Sequence, residues 1–140
     1  MTKGAVLVIA SDAAIGALLG ALAEVSGYSP VYPTPPEAVA DSIARLQPSV
    51  VLVDGDDDRS AETRLYRCAA SAGSRVVLFS SSRGREETER MAALRGLPAL
   101  PLPIGQRAFA RTLAGILERE DRVAGGGAAV SSTERPAASP

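Results

Sequence analysis

The chain has 140 residues, and its 15 basic and 16 acidic side chains give a formal net charge of −1. This length fits one domain with its own core, and the near-neutral charge argues against a general attraction to nucleic acid or membrane surfaces. The absence of histidine and the presence of one cysteine, Cys68, exclude His-dependent nucleophilic catalysis, the usual zinc sites and an internal disulfide.

Strand-like and helix-like patterns alternate along the chain. Unbroken apolar runs at residues 5–10 and 50–53 are typical of strands that are covered on both faces of a parallel sheet. Between such runs, apolar residues recur at helical spacing. The predicted strands are residues 5–10, 29–32, 50–53, 75–79 and 97–102. The predicted helices start near residues 11, 34, 59, 83 and 105 and end near residues 27, 48, 72, 95 and 120.

This alternation predicts one doubly wound α/β domain with a parallel sheet, spanning residues 1–120. Residues 121–140 are mostly Gly, Ala, Ser and Pro with few large apolar groups, so we expect a disordered tail there. The first apolar run is too short for a signal segment or a membrane span. We therefore expect a cytoplasmic protein without membrane contact.

The third predicted strand runs directly into a group of carboxylates. Asp54 ends the strand, and Asp56, Asp57 and Asp58 follow. Open α/β sheets place their chemistry at the carboxyl ends of the strands, so Asp54 is the first candidate for a functional residue. The three later aspartates have a spacing that suits a hard divalent cation. An acidic loop that caps the next helix is the commoner use of such a cluster.

Three serines, Ser80, Ser81 and Ser82, follow the fourth predicted strand. Hydroxyls in this position can bind phosphate beside a helix N-terminus, and they also serve as ordinary helix caps. No glycine-rich phosphate loop follows the first strand, which weakens the alternative of a small-molecule-binding flavodoxin-like module.

With these elements in place, the chain resembles a response-regulator receiver domain, the fold of the chemotaxis response regulators. The resemblance implies a flavodoxin-like (βα)5 fold with a parallel five-stranded sheet in the order 2-1-3-4-5. It also implies that Asp54 is the phosphoacceptor and that the Ser80 hydroxyl contacts the phosphoryl oxygens. The likeness covers residues 3–120 and rests on the segments Leu7-Val-Ile-Ala-Ser-Asp12, Leu52-Val-Asp54, Val76-Val-Leu-Phe-Ser80 and Leu100-Pro-Leu-Pro103.

Three positions depart from the family pattern. The acidic pair that holds Mg²⁺ in the family falls on Ala10 and Ser11, and the lysine that precedes proline in the fifth strand falls on Leu102. The aromatic residue that switches rotamer in active receivers falls on Ala99. Asp12 lies one place after the acidic pair and could join Asp54 and Asp56 in a weak Mg²⁺ site only if the loop shifts. We predict no resident cofactor.

These departures predict a degenerate receiver, or pseudo-receiver. We expect a stand-alone signalling module, not an enzyme, that acts through protein–protein interaction in a two-component-type pathway, with phosphorylation of Asp54 weak or lost. The alternative is a phosphorelay receiver that accepts phosphate from a histidine kinase on Asp54. The expected partner is a histidine kinase or a downstream regulator, and sequence-specific nucleic-acid binding is not expected. The predicted partner face carries Arg83, Arg85, Arg90, Arg95, Arg107 and Arg111.

Overall fold

The structure is a computed structural model that describes residues 3–130, with side chains described for residues 3–119. The chain divides into two units, Met1–Ala110 and Arg111–Pro140. The described strands all lie in the first unit. The elements in chain order are β1 (Ala5–Ile9), α1 (Ala13–Val25), β2 (Ser29–Val31), α2 (Val39–Leu46), β3 (Val50–Asp54), the 3-10 helix η1 (Asp58–Ala61), α3 (Thr63–Ala72), β4 (Arg75–Phe79), α4 (Arg85–Leu94) and α5 (Gln106–Val130).

The strands form a parallel sheet in the order β2-β1-β3-β4. This confirms the predicted α/β class and the order of the first four strands. β1 and β3 lie in the middle, and every residue of β3 is buried, which explains why both strands are apolar at successive positions rather than at alternate ones. In the central register Leu7 pairs with Val51 and Ile9 pairs with Val53.

Helices α2 and α3 cover one face of the sheet. On this face, every second residue of β1 and β3 packs against apolar side chains of the two helices, because successive side chains of a strand point to opposite faces of the sheet. The buried members of this cluster are Leu7, Ile9, Val39, Ile43, Val51, Val53, Leu65 and Ala69. The alternate strand residues, such as Val8 and Leu52, are equally buried on the other face.

The predicted fifth strand pairs with β4 through a single residue. Among the described residues, segment 97–102 forms one parallel bridge, between Leu78 and Ala99. The Leu78 N–H donates to the Pro98 oxygen at 2.9 Å, and the Leu100 N–H donates to the Leu78 oxygen at 2.8 Å. Pro98 and Pro101 have no N–H to extend this ladder. The segment therefore lies beside β4 as predicted, but it does not form a regular strand.

Three helix limits also differ from the predictions. Helix α3 begins at Thr63, after η1, and not near Arg59. Helix α2 begins at Val39, after a turn that contains a cis Pro35–Pro36 peptide, and not near Thr34. Helix α5 continues to Val130, beyond the predicted end near residue 120. The disordered tail expected for residues 121–140 stays a prediction, and residues 131–140 lie outside the described residues.

Within the part of the chain that the structure describes, no helix has the length and apolar character needed to cross a membrane.

Candidate functional site

Asp54 ends β3 at the carboxyl edge of the sheet and is completely buried. Its Oδ2 accepts hydrogen bonds from the Ser11 hydroxyl at 2.7 Å and the Ser81 hydroxyl at 3.1 Å. Its Oδ1 accepts one from the Asp56 backbone N–H at 2.9 Å. Both carboxylate oxygens thus have donors from the protein itself, which satisfies the rule that a buried charge must be hydrogen-bonded.

The chain turns sharply after Asp54. The Asp57 N–H donates to the Asp54 backbone oxygen at 3.0 Å, and the Gly55 N–H donates to the Phe79 oxygen at 2.8 Å. A side chain at Gly55 would place its Cβ 2.8 Å from Met91 Sδ. Glycine at this position therefore allows the turn to lie close against α4.

A second carboxylate, Asp56, accepts hydrogen bonds from other polar side chains at this edge of the sheet. Its Oδ2 accepts from the hydroxyls of Ser80 at 2.6 Å and Ser82 at 2.9 Å. Its Oδ1 accepts from Arg83 Nε at 2.9 Å. The Ser80 hydroxyl lowers the pKa of Asp56, and the hydrogen bonds and charge of Arg83 act in the same direction. Asp56 is therefore held as a carboxylate that is paired with the Arg83 guanidinium.

In the structure the Ser80 hydroxyl is engaged with Asp56, and its predicted contact with phosphoryl oxygens stays a prediction. Ser80 Oγ donates to Asp56 and accepts from the backbone N–H groups of Ser82 and Arg83, at 3.2 and 3.0 Å. The neighbouring Ser81 contacts Asp54 instead. Sequence reasoning missed Ser11 and Ser81 as Asp54 partners, because a run of three serines does not reveal which hydroxyl turns inward.

Asp12 caps the N-terminus of helix α1. It is the N-cap residue of that helix, and its Oδ1 accepts from the N–H groups of Ala14 at 2.8 Å and Ile15 at 3.1 Å. These bonds stabilise the first turn of α1. The predicted Asp12–Asp54–Asp56 set is not brought together, and among the described residues no group of three or more His, Cys, Asp or Glu side chains is placed to hold a metal ion.

The helix-capping interpretation of the acidic loop is confirmed for Asp57. Its side chain accepts from the Arg59 N–H at 2.9 Å and forms a two-bond pair with the Arg59 guanidinium, at 2.9 and 2.7 Å. The Arg59 hydrogen bond lowers the pKa of Asp57. This carboxylate caps η1.

A cleft of about 430 Å³ opens beside the three serines. Leu102 lines it at the position where the family resemblance places a lysine, and the Leu102–Pro103 peptide bond is cis. The cation on this cleft is Arg83, which belongs to the loop before α4. The remaining lining residues are Ile15, Leu18, Ser80, Ser81, Ser82, Gly84 and Pro103.

The predicted partner face is not a set of six equivalent arginines. Arg83 binds Asp56, Arg85 lies 3.6 Å from Glu89, and Arg95 turns toward Ser60. Arg90 lines a cleft of about 240 Å³ together with Leu94, whose side chain is 83% exposed. Arg107 is exposed at the start of α5, and Arg111 lies in the second unit.

Solved structures with a similar backbone include several signal receiver domains and two putative pilus-assembly proteins. A response regulator receiver protein from Burkholderia phymatum matches with a TM-score of 0.62 at 22% identity, over 83% of this chain and 96% of that chain. A signal receiver domain from Colwellia psychrerythraea matches with a TM-score of 0.60 at 20% identity, over 81% and 98%. NtrX from Brucella abortus matches with a TM-score of 0.70 at 15% identity, over 93% of this chain but 29% of its own.

The chain has the receiver-domain fold. No protein-family model matches the sequence, and a comparison with curated proteins finds no significant match. The likeness to solved receivers lies in the backbone, since the three identities quoted are 15%, 20% and 22%.

Proposed function

We propose that this protein is a receiver-type signalling module that acts by binding a protein partner, and that phosphotransfer to Asp54 is weak or lost. The observation that carries the proposal is the state of the Asp54 carboxylate, whose two oxygens are both hydrogen-bonded to groups of the protein. An acceptor carboxylate needs a free oxygen directed at the incoming phosphorus. Here Oδ2 is covered by the Ser11 and Ser81 hydroxyls.

The charge needed for phosphoryl transfer is also reduced. Catalysis of this reaction is almost entirely positioning and electrostatic stabilisation of the transferred group. Ala10 and Ser11 stand where the resemblance places metal-binding carboxylates, and Leu102 stands where it places a lysine. Since loss of one electrostatic stabiliser costs about 2.7–4 kcal/mol in catalytic sites, the combined losses are expected to make phosphotransfer very slow.

The second candidate function, a phosphate-accepting receiver, is favoured by one feature. The Arg83 guanidinium and the hydroxyls of Ser80 and Ser82 lie at the same edge as Asp54, and such donors can bind phosphoryl oxygens. However, they are engaged with the Asp56 carboxylate. A phosphoryl group would have to displace that carboxylate, which makes this candidate the weaker of the two.

A role in protein binding is supported by helix α4. Leu94 exposes most of its side chain beside Arg90 and Met91, and the cleft between them is open to a partner. Methionine and arginine are enriched at protein interfaces relative to the rest of the surface, and here both lie beside the exposed Leu94. We propose that this part of α4 contacts a signalling protein in the cytoplasm and that the module itself catalyses no reaction.

The test is a two-dimensional amide NMR titration of the wild type and Asp54→Asn, first with Mg²⁺ and then with Mg²⁺ and beryllofluoride. Beryllofluoride stands in for a phosphoryl group on the aspartate. We expect no saturable shifts at residues 54–58 and 80–83 in either protein. Shifts that occur in the wild type and are absent in Asp54→Asn would establish the phosphate-accepting function and refute the proposal.

A reconstituted variant serves as the matched control. Ala10→Asp, Ser11→Asp and Leu102→Lys together restore the charged groups that the resemblance implies. This variant is expected to bind Mg²⁺ and beryllofluoride at Asp54, because the fold already places the three positions at one edge. If the variant folds and still does not respond, the missing charges are not the cause of the inactivity.

A further inference from the structure

A second polar cleft lies away from Asp54, where η1 and the start of α3 meet the end of α4. Its volume is about 360 Å³, which falls at the small end of the range of about 300–1,000 Å³ that is usual for ligand pockets. Four of its five lining residues carry polar side chains. The lining residues are Ser60, Ala61, Thr63, Tyr66 and Arg95.

Arg95 supplies a cation whose partners within the described residues are neutral. Its Nη1 donates to Ser60 Oγ at 3.1 Å and its Nη2 donates to the Gly55 backbone oxygen at 3.4 Å. A guanidinium has five N–H donors, so donors remain for another group. Four other arginines of this unit, by contrast, pair closely with carboxylates: Arg45–Glu37, Arg59–Asp57, Arg64–Asp41 and Arg83–Asp56.

The groups around Arg95 are held in place by the protein. The Tyr66 hydroxyl donates to the Ser60 backbone oxygen at 2.5 Å, and the Ser60 hydroxyl donates to the Gly55 oxygen at 3.2 Å. These bonds hold the wall of the cleft in place and do not involve the N–H donors of the Arg95 guanidinium. A ligand would therefore meet a site that is already ordered, which lowers the entropic cost of binding.

The beginning of α3 adds further donors. Thr63 is the first residue of that helix, and its N-cap residue, Glu62, makes no side-chain capping bond. Thr63 lines the cleft, so the positive end of a ten-residue helix lies at its edge.

We propose that this cleft binds a small oxyanion of the phosphate class, either free phosphate or a phosphate monoester. Arg95 is the principal contact, because the planar guanidinium fork matches the oxygens of a phosphate group in a two-bond geometry. Thr63 contributes a second donor. The bound anion would draw Arg95 away from the Gly55 oxygen, so the cleft is linked to the residue that follows Asp54.

The test is an amide NMR titration at constant ionic strength with inorganic phosphate in one arm and O-phosphoserine in the other. Saturable shifts are expected at Ser60, Thr63, Tyr66 and Gly55. Tighter binding of phosphoserine indicates a monoester site, and tighter binding of phosphate indicates a site for the free ion. Shifts that rise linearly without saturation in both arms would overturn the proposal.

Two variants make the test specific. Arg95→Gln is expected to weaken the binding about tenfold or more, because it removes a charge-assisted contact. Arg67→Gln removes the same charge from an exposed position on α3 outside the cleft and is expected to leave the affinity unchanged. If Arg95→Gln does not fold, Thr63→Val replaces it, with a smaller loss expected. Equal affinities in the cleft variant and in Arg67→Gln would refute the site.

Discussion

The hydrogen bonds of Asp54 can be tested by removing the two serines that donate to its Oδ2. Ser11 donates at 2.7 Å and Ser81 at 3.1 Å. A hydrogen bond to a charged group contributes about 1.5–3 kcal/mol. Because both serines are exposed residues, water can partly replace either one. We therefore expect Ser11→Ala to cost about 1.5 kcal/mol and Ser81→Ala, with the longer bond, about 1 kcal/mol.

The double variant is the decisive measurement. Either single variant leaves Oδ2 of the buried carboxylate with one donor, whereas Ser11→Ala/Ser81→Ala leaves it with none from the protein. An unsatisfied buried acceptor carries a penalty beyond the loss of its bonds. The double variant is therefore expected to lose at least about 1 kcal/mol more than the sum of the two single variants.

Urea denaturation followed by circular dichroism measures these free energies of unfolding. The same three variants in an Asp54→Asn background form the control, because a neutral acceptor makes weaker hydrogen bonds. The serine effects are expected to fall by about half in that background. Two results would show that the serines do not hold the Asp54 carboxylate. One is a double variant whose loss of stability equals the sum of the two single losses within about 0.3–0.5 kcal/mol. The other is a set of serine effects that are equal in the wild-type and Asp54→Asn backgrounds.

Two further predictions concern pH and backbone geometry. Hydrogen bonds from Arg45, the larger contributor, and from Ser42 lower the pKa of Glu37 from 4.5 to about 2. The ionised Glu37 therefore stabilises the fold above pH 4.5, and this contribution is lost as the pH falls toward 2. The stability difference between the wild type and Arg45→Gln should shrink over this range in acid unfolding, and a difference independent of pH would contradict the assignment. Gly73 has φ of +74° with open space around its Cβ position, so Gly73→Ala should cost about 1–2 kcal/mol in urea denaturation from backbone conformation alone. Gly73→Asn should cost less, and equal costs would show that the conformation is not the cause.

The regular part of the fold could be predicted because it depends on local patterns. Unbroken apolar runs identified β1 and β3, since strands covered on both faces need apolar residues at every position. Periodic apolar residues with glycine stops located α1 and α3. The fifth strand was harder to predict, because apolar character alone does not show whether enough N–H groups are free to form a ladder. Pro98 and Pro101 limit it to one bridge.

The position of the candidate site could be predicted from the sequence, but the hydrogen-bond partners of its polar side chains could not. Asp54 lies at the strand end where the sequence placed it, and Leu102 lines the neighbouring cleft. The partners of each polar group depend on the rotation of short loops, which local sequence patterns do not specify. Ser80 therefore binds Asp56 and not Asp54, and Asp12 caps α1 and does not join a metal site.

The amino-acid sequence by itself determined the alternation of strands and helices, the aspartate at the central strand end and the replacement of charged groups by Ala10, Ser11 and Leu102. These features follow from the order of residue types along the chain. The tertiary structure alone decided that Ser11 and Ser81 saturate Asp54 and that Arg95 lies over the 3-10 helix without a carboxylate partner among the described residues. Such contacts join groups 27 to 43 residues apart, and only the packing of the sheet and its loops brings them together.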